Sequence, residues 1–227
     1  MKHLNTTGIV LARTDFGEAD RIVTFLTPDH GKLNGLVKGV RKSRSKLAGG
    51  IELFSISEFG FIVGRGEVRT ITFTRLKSNF ANVSAELPRA QAGFELLKTI
   101  HATTGGHPEA AYFELLAGAL DALNNKSLPA ELTLLWFYLR LLVIAGHQPD
   151  FFRLDDGAPL PPGQRFTFDY SKMRFSVATG GDFKQNDVKL LRLLSVNQAV
   201  VLPKLQVEEK LVSACLQLVR TIHRSLA

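Results

Sequence analysis

The chain has 227 residues and a net charge of +7, with 45% hydrophobic and 22% charged residues, the make-up of a globular protein with a real core and one or two domains. Its one cysteine, Cys215, excludes an intrachain disulfide or a cysteine-based zinc site and suits a reducing compartment. The charge is unevenly placed: residues 1–78 hold 13 Lys and Arg against 7 Asp and Glu, whereas residues 79–227 hold 15 against 14, an asymmetry expected where the N-terminal third meets a polyanion or a membrane surface.

Thr6 to Arg13 is β-branched and apolar and predicts a first strand, interrupted by Asp15-Phe-Gly-Glu-Ala-Asp20. Arg21–Thr27 is a second, ended by Pro28-Asp-His-Gly31. Lys32–Val40 is a third, with Gly35 inside it, and an internal glycine marks a bulge or a sharp bend in a curled sheet. Ile51–Val63 is a fourth, rich in phenylalanine. After a hairpin turn at Gly64-Arg-Gly66, Glu67–Arg75 alternates as a fifth. Five short strands in some 75 residues predict a small barrel of the OB type, with Phe54, Phe59, Phe61 and Phe73 expected to fill it.

Beyond Lys77 the apolar period changes to three and four residues. Helices are expected over Phe80–Ile100 (with Pro88 a break or a first turn), Glu109–Leu123, Leu132–Ala145, Asp187–Leu194 and from Glu208 onward. Leu132–Ala145 is apolar almost all round and should lie at the centre of the C-terminal domain. Gln148–Phe183 departs from this pattern: a proline-rich loop leads to Arg165–Tyr170 and Met173–Ala178, a hairpin turned at Ser171-Lys172. The expected class is thus α+β, with a five-stranded barrel over 1–78 and a mainly helical domain over 79–227 that carries a loop and hairpin insertion at about 148–183. The start of the chain lacks the apolar stretch of a signal peptide, and Leu132–Ala145 is too short to span a bilayer. A cytoplasmic protein without a membrane partner is expected.

The connection between strands three and four stands out. Lys38-Gly-Val-Arg-Lys-Ser-Arg-Ser-Lys46 carries five cations (Lys38, Arg41, Lys42, Arg44, Lys46) and no acid. Small residues interleave them, so a phosphate backbone can approach closely. A solubility device on a rim loop is the plain alternative. Arg65 and Arg69, in and just after the last hairpin turn, are candidate neighbours. Enzyme chemistry lacks parts. Glu18, Asp20 and His30 suit turn and rim charges better than an acid–base cluster, and His101, His107 and His147 are scattered. No phosphate-binding Gly-x-x-x-x-Gly-Lys-[Ser/Thr] loop exists. Asp155, Asp156 and Asp182 lack ligand spacing, so neither a metal nor another cofactor is expected.

Gly8-Ile-Val-Leu, Gly17-Glu-Ala-Asp-Arg-Ile-Val-Thr24, Gly31-Lys32, Lys38-Gly-Val-Arg-Lys-Ser-Arg-Ser45, Phe54, Gly64-Arg65 and Gly146-His-Gln-Pro149 together resemble the RecO family of bacterial recombination mediators. The resemblance runs in register through the N-terminal third and is thinner in the helices. It implies an OB-fold, a helical domain, binding to single- and double-stranded DNA and annealing of complementary strands. It also implies a RecR partner, with which RecA is loaded onto DNA coated by single-strand-binding protein, and docking of that protein's acidic C-terminal tail in the helical domain. Arg140, the one charge in the apolar helix, is the residue guessed to hold the tail. The chain departs from the resemblance at 148–183, where many relatives carry a four-cysteine zinc site and this chain has no cysteine. RNA binding by the barrel, or a scaffold role for a groove beside Leu132–Ala145, are the alternatives, because cations facing phosphates do not distinguish the sugar.

Overall fold

A computed structural model describes residues 2–63, 69–107, 109–154 and 156–226. The chain divides into two compact units, Met1–Lys126 and Ser127–Ala227. In the first, β1 (Lys2–Phe16) is long enough to pair with two partners. Its first half runs antiparallel to β4 (Ser55–Val63), from Lys2 opposite Val63 to Ile9 opposite Ile56. Its second half pairs with β2 (Asp20–Thr27), and a bulge between Val10 and Ala12 turns the strand from one neighbour to the other. Next, β3 (Gly31–Val37) pairs with β2, and β5 (Arg69–Asn79) pairs with β4. A short parallel contact, Gly35 opposite Arg69 and Leu36 opposite Thr70, closes the barrel in the order β1-β2-β3-β5-β4. Gly35 is required there by space: a Cβ would lie 2.5 Å from Cδ1 of Ile71.

The barrel is filled by Val10, Val23, Phe25, Leu33, Val37, Val40, Ile51, Phe59, Phe61 and Ile71. Phe25 and Phe59 stack with centroids 4.5 Å apart. Phe54 is buried outside this cluster, edge-on to Phe94, and Phe73 is 45% exposed, both against the expectation that they fill the barrel. For Phe73 the cause is a bulge in β5: Phe61 faces Ile71 while Gly60 faces Phe73, so the extra residue Thr72 shifts the alternation by one and turns Phe73 outward.

Helices α1 (Ala81–Ala85), α2 (Leu87–Thr103) and α3 (Ala110–Asn124) complete this unit. Pro88 begins α2, where its missing N–H costs nothing. Gly93 lets α2 lie close against α1 and Phe54, since a Cβ would sit 2.6 Å from Val83 and 2.7 Å from Phe54. The last strand of the barrel ends at Asn79, close to the boundary expected from sequence, whereas the compact division falls later, after Lys126.

In the second unit, ten of the fifteen residues of α4 (Ala130–Ile144) are buried, packed against α5 (Gln185–Val196) and α6 (Glu209–Leu226). Trp136 and Arg140 of α4 donate to the carbonyls of Asn197 (2.9 Å) and Ser195 (2.7 Å), which satisfies the C-terminal end of α5. The insertion is a three-stranded sheet, in the order β6 (Asp150–Leu154), β8 (Arg174–Val177), β7 (Phe166–Asp169). The hairpin between β7 and β8 turns where expected, with Asp169 Oδ1 accepting from the amides of Ser171 and Lys172. β6, read as loop from sequence, adds as a parallel edge. Phe151, Phe166, Phe168 and Phe183 surround Phe175, with ring centroids 5.2 to 6.1 Å from it. Among the described residues no group of three metal-ligating side chains exists, and no helix is long and apolar enough to cross a membrane.

Candidate nucleic-acid interface

The loop after β3 is held at both ends by the core. Val40 is 4% exposed and Ile51 fully buried in the barrel cluster, with Leu47 and Ala48 packed against it. From Arg41 to Lys46 the chain has no apolar residue to bury. Lys38, Arg41, Lys42, Arg44 and Lys46 are consequently all exposed. The loop is nevertheless ordered by its own bonds. Gly39 takes a left-handed φ of +63°, open to glycine at little cost. Its carbonyl accepts from Lys42 N (3.2 Å), the carbonyl of Lys42 accepts from Ser45 N (3.0 Å), and Thr74 Oγ1 donates to Leu47 O (3.1 Å).

The β1–β2 hairpin grips the same loop from outside. Asp20 Oδ1 accepts from Gly39 N at 2.7 Å, and Arg41 N donates to Ala19 O at 3.0 Å. Asp15 Oδ1 accepts from Arg21 Nε at 2.7 Å, while its Oδ2 lies 3.5 Å from Arg41 Nε. The Arg21 hydrogen bond, with Arg41 beside it, holds the Asp15 carboxyl below its ordinary value. One of the five cations is thus already facing an acid. Exposed cations with fixed backbone neighbours suit contact to a nucleic-acid backbone, which sets position and not sequence.

Arg69 stands at the start of β5 opposite Gly35, three residues before Lys38, with its guanidinium 5.8 Å from the centroid of the Phe61 ring. Arg65 and the Gly64-Arg-Gly66 turn lie outside the described residues, as does Asp155. Asp20 begins β2 and His30 lies in the turn beyond its other end, so the two do not assemble into an acid–base pair. His30 instead sits beside Asp29, at 3.4 Å, and edge-on to Phe61.

Sequence reasoning missed Asp15 and Asp20 as supports of the loop, and it missed Phe16. This ring is 52% exposed at the end of β1, paired across the hairpin with Asp20. The signal was an aromatic immediately before Gly17 at a strand end, which reads as a turn until the hairpin register is known.

In the second unit, a groove of about 760 Å³ runs along α5 and α6, with Arg165, Lys184, Lys189 and Lys210 around an apolar floor that includes Leu190, Leu193 and Leu211. Asp182, Asp187 and Glu208 also line it. Arg140 does not, being bonded to Ser195.

Residues 1–80 match the family model described as Recombination protein O N terminal, and residues 90–225 match Recombination protein O C terminal. A DNA repair protein RecO of Dehalococcoides mccartyi strain CBDB1 is 31% identical over 227 residues, covering 92% of this chain and 84% of its own. That of Rubrobacter xylanophilus is 36% identical over 177 residues, covering 77% and 67%. The Streptomyces griseus protein of the same description is 34% identical over 184 residues, covering 77% and 70%. The barrel, the helical region and both matched halves lead to one assignment: the chain belongs to the RecO family of DNA repair proteins.

Proposed function

We propose that this chain is a non-catalytic recombination mediator, whose barrel, residues 1–78, binds single- and double-stranded DNA through the Lys38–Lys46 loop. The observation that carries the reading is that all five loop cations are exposed on an anchored loop of a RecO-family chain. Lys38, Arg41, Lys42, Arg44 and Lys46, with Arg65 and Arg69 as neighbours, neutralise phosphates and release their counterions. Two strands held with their charge reduced and their bases free anneal faster than free strands, which repel each other. With RecR, the same binding delivers RecA to single-stranded DNA coated by single-strand-binding protein.

The helical domain supplies the contact to that coat. An acidic tail suits a groove with cations around an apolar floor, so we place the tail at Arg165, Lys184, Lys189 and Lys210, in preference to Arg140. Strand annealing and the onset of RecA ATPase on coated DNA, with and without RecR, test the reading. Wild type should accelerate both, and Arg41→Ala/Lys42→Ala/Arg44→Ala should lose the gain. No acceleration by wild type in either assay would sink it, and equal binding of an RNA oligonucleotide would favour an RNA-binding barrel instead.

A further inference from the structure

Resting on the loop reading above, we infer that Phe16 is a base-stacking platform, which makes this rim a site for unpaired strands rather than for backbone alone. Five large aromatic side chains among the described residues are substantially exposed: Phe16, Phe73, Phe94, Phe152 and Tyr170. Phe16 stands at the end of a hairpin whose two strands are both bonded to the basic loop beside the ring. Asp15, just before it, holds Arg21 and Arg41. Asp20, directly across the ladder from it, holds the amide of Gly39.

Strand alternation decides the geometry. Side chains opposite one another in an antiparallel ladder lie on the same face, so Phe16 shares a face with Asp20, and Asp20 reaches the start of the loop at Gly39. The neighbouring residues Asp15 and Arg21 share the other face, where Asp15 reaches the loop at Arg41. The loop therefore closes round the end of the hairpin, and the ring stands out beside it. Exposing half of a phenylalanine to water is unfavourable and is not needed to close the barrel, whose core is already filled by Phe25, Phe59 and Phe61. Phosphates on the cations bring bases within reach of the ring, and base–aromatic stacking is tolerant of sequence because every base has a π-face. A duplex keeps its bases stacked on one another and offers the ring only its ends. Phe16 thus confers preference for single strands without reading sequence.

The test is binding of full-length wild type, Phe16→Ala and Phe16→Trp to a single-stranded oligonucleotide, the same length of duplex, and a strand of abasic sites, across a salt series. Phe16→Ala should lose about five- to 150-fold in affinity for the single strand, keep duplex affinity within about twofold and leave the salt slope unchanged, since stacking releases no counterions. Phe16→Trp should bind as wild type, and its indole fluorescence should be quenched by the single strand but not by the abasic strand. The inference is overturned if Phe16→Ala binds the single strand as wild type does, or if the abasic strand binds as tightly as the natural one. Failure of the loop reading is a different result, namely wild-type affinity that three loop alanines leave unchanged.

Discussion

Arg89 offers a quantitative check on how the first unit is held together. It is 7% exposed on α2, and its guanidinium donates to Leu123 O (2.8 Å), Asn125 O (3.2 Å) and Lys126 O (2.8 Å), with Glu86 at 3.3 Å. These carbonyls end α3, where no following amide can satisfy them. Arg89→Met keeps most of the stem's packing and removes every donor. Leu123 is fully buried, so its carbonyl is left without water and costs about 1–3 kcal/mol. Asn125 and Lys126 are exposed residues, so water replaces the arginine there and each loss is about 0.5–1 kcal/mol. The total, about 2–5 kcal/mol, corresponds to a fall in Tm of roughly 4–20 °C for a chain of this size. Arg89→Lys, which presents one ammonium to carbonyls that a planar fork spans, should fall between the two. Thermal unfolding by circular dichroism reads all three. Arg89→Met melting within about 2 °C of wild type would refute the bookkeeping of buried carbonyls.

Three further outcomes are expected. Asp15→Asn frees Arg21 and Arg41 from their acid and should raise affinity for single-stranded DNA roughly two- to fivefold at low salt, with the gain fading as salt rises; titration at two salt concentrations checks this. Phe175 is fully buried among four other phenylalanines, so Phe175→Ala should destabilise the second unit by about 3–5 kcal/mol, whereas a chelator should leave the wild-type Tm unchanged. Burial lowers the pKa of His101, helped by the nearby Lys32, and burial alone lowers that of His223, both from the ordinary 6.5. In the window below 6.5 the unfolded chain then binds more protons, so stability should fall as pH drops from about 7 to 5. Replacing both histidines with glutamine should flatten that part of the Tm profile, and an unchanged profile would reject these groups as its source.

Much of the architecture was legible because local pattern and tertiary structure agree. Alternation in Arg21–Thr27, the glycine inside β3 and the Asp169–Lys172 turn each carry their own signal, and the five longer helices announce themselves by period, whereas the five-residue α1 was read as one helix with α2. The misses lie where one strand's position depends on another. Phe73 reads as core by alternation, and only the bulge opposite Gly60 reveals that it points out. β6 has no period of its own and becomes a strand by adding to β8. At the interface the cations were legible as composition. Their presentation depends on Val40 and Ile51 being drawn into the barrel cluster, and the grip of Asp15 and Asp20 on Arg41 and Gly39 comes from side chains more than ten residues away in sequence. The exposure of Phe16 follows from the same hairpin register and was hidden for the same reason.

The most direct test of the central claim, that DNA lies on the barrel loop, is fluorescence anisotropy of a labelled single strand across a salt series. Five phosphate contacts predict a log–log slope of about −3.5, a loss of roughly a hundredfold in affinity between about 50 and 200 mM salt. Arg41→Ala/Lys42→Ala/Arg44→Ala leaves two loop cations and should reduce the slope to about −1.4, a loss of roughly sevenfold over the same range. A triple variant that keeps the wild-type slope and affinity would contradict the account and move the DNA off this loop.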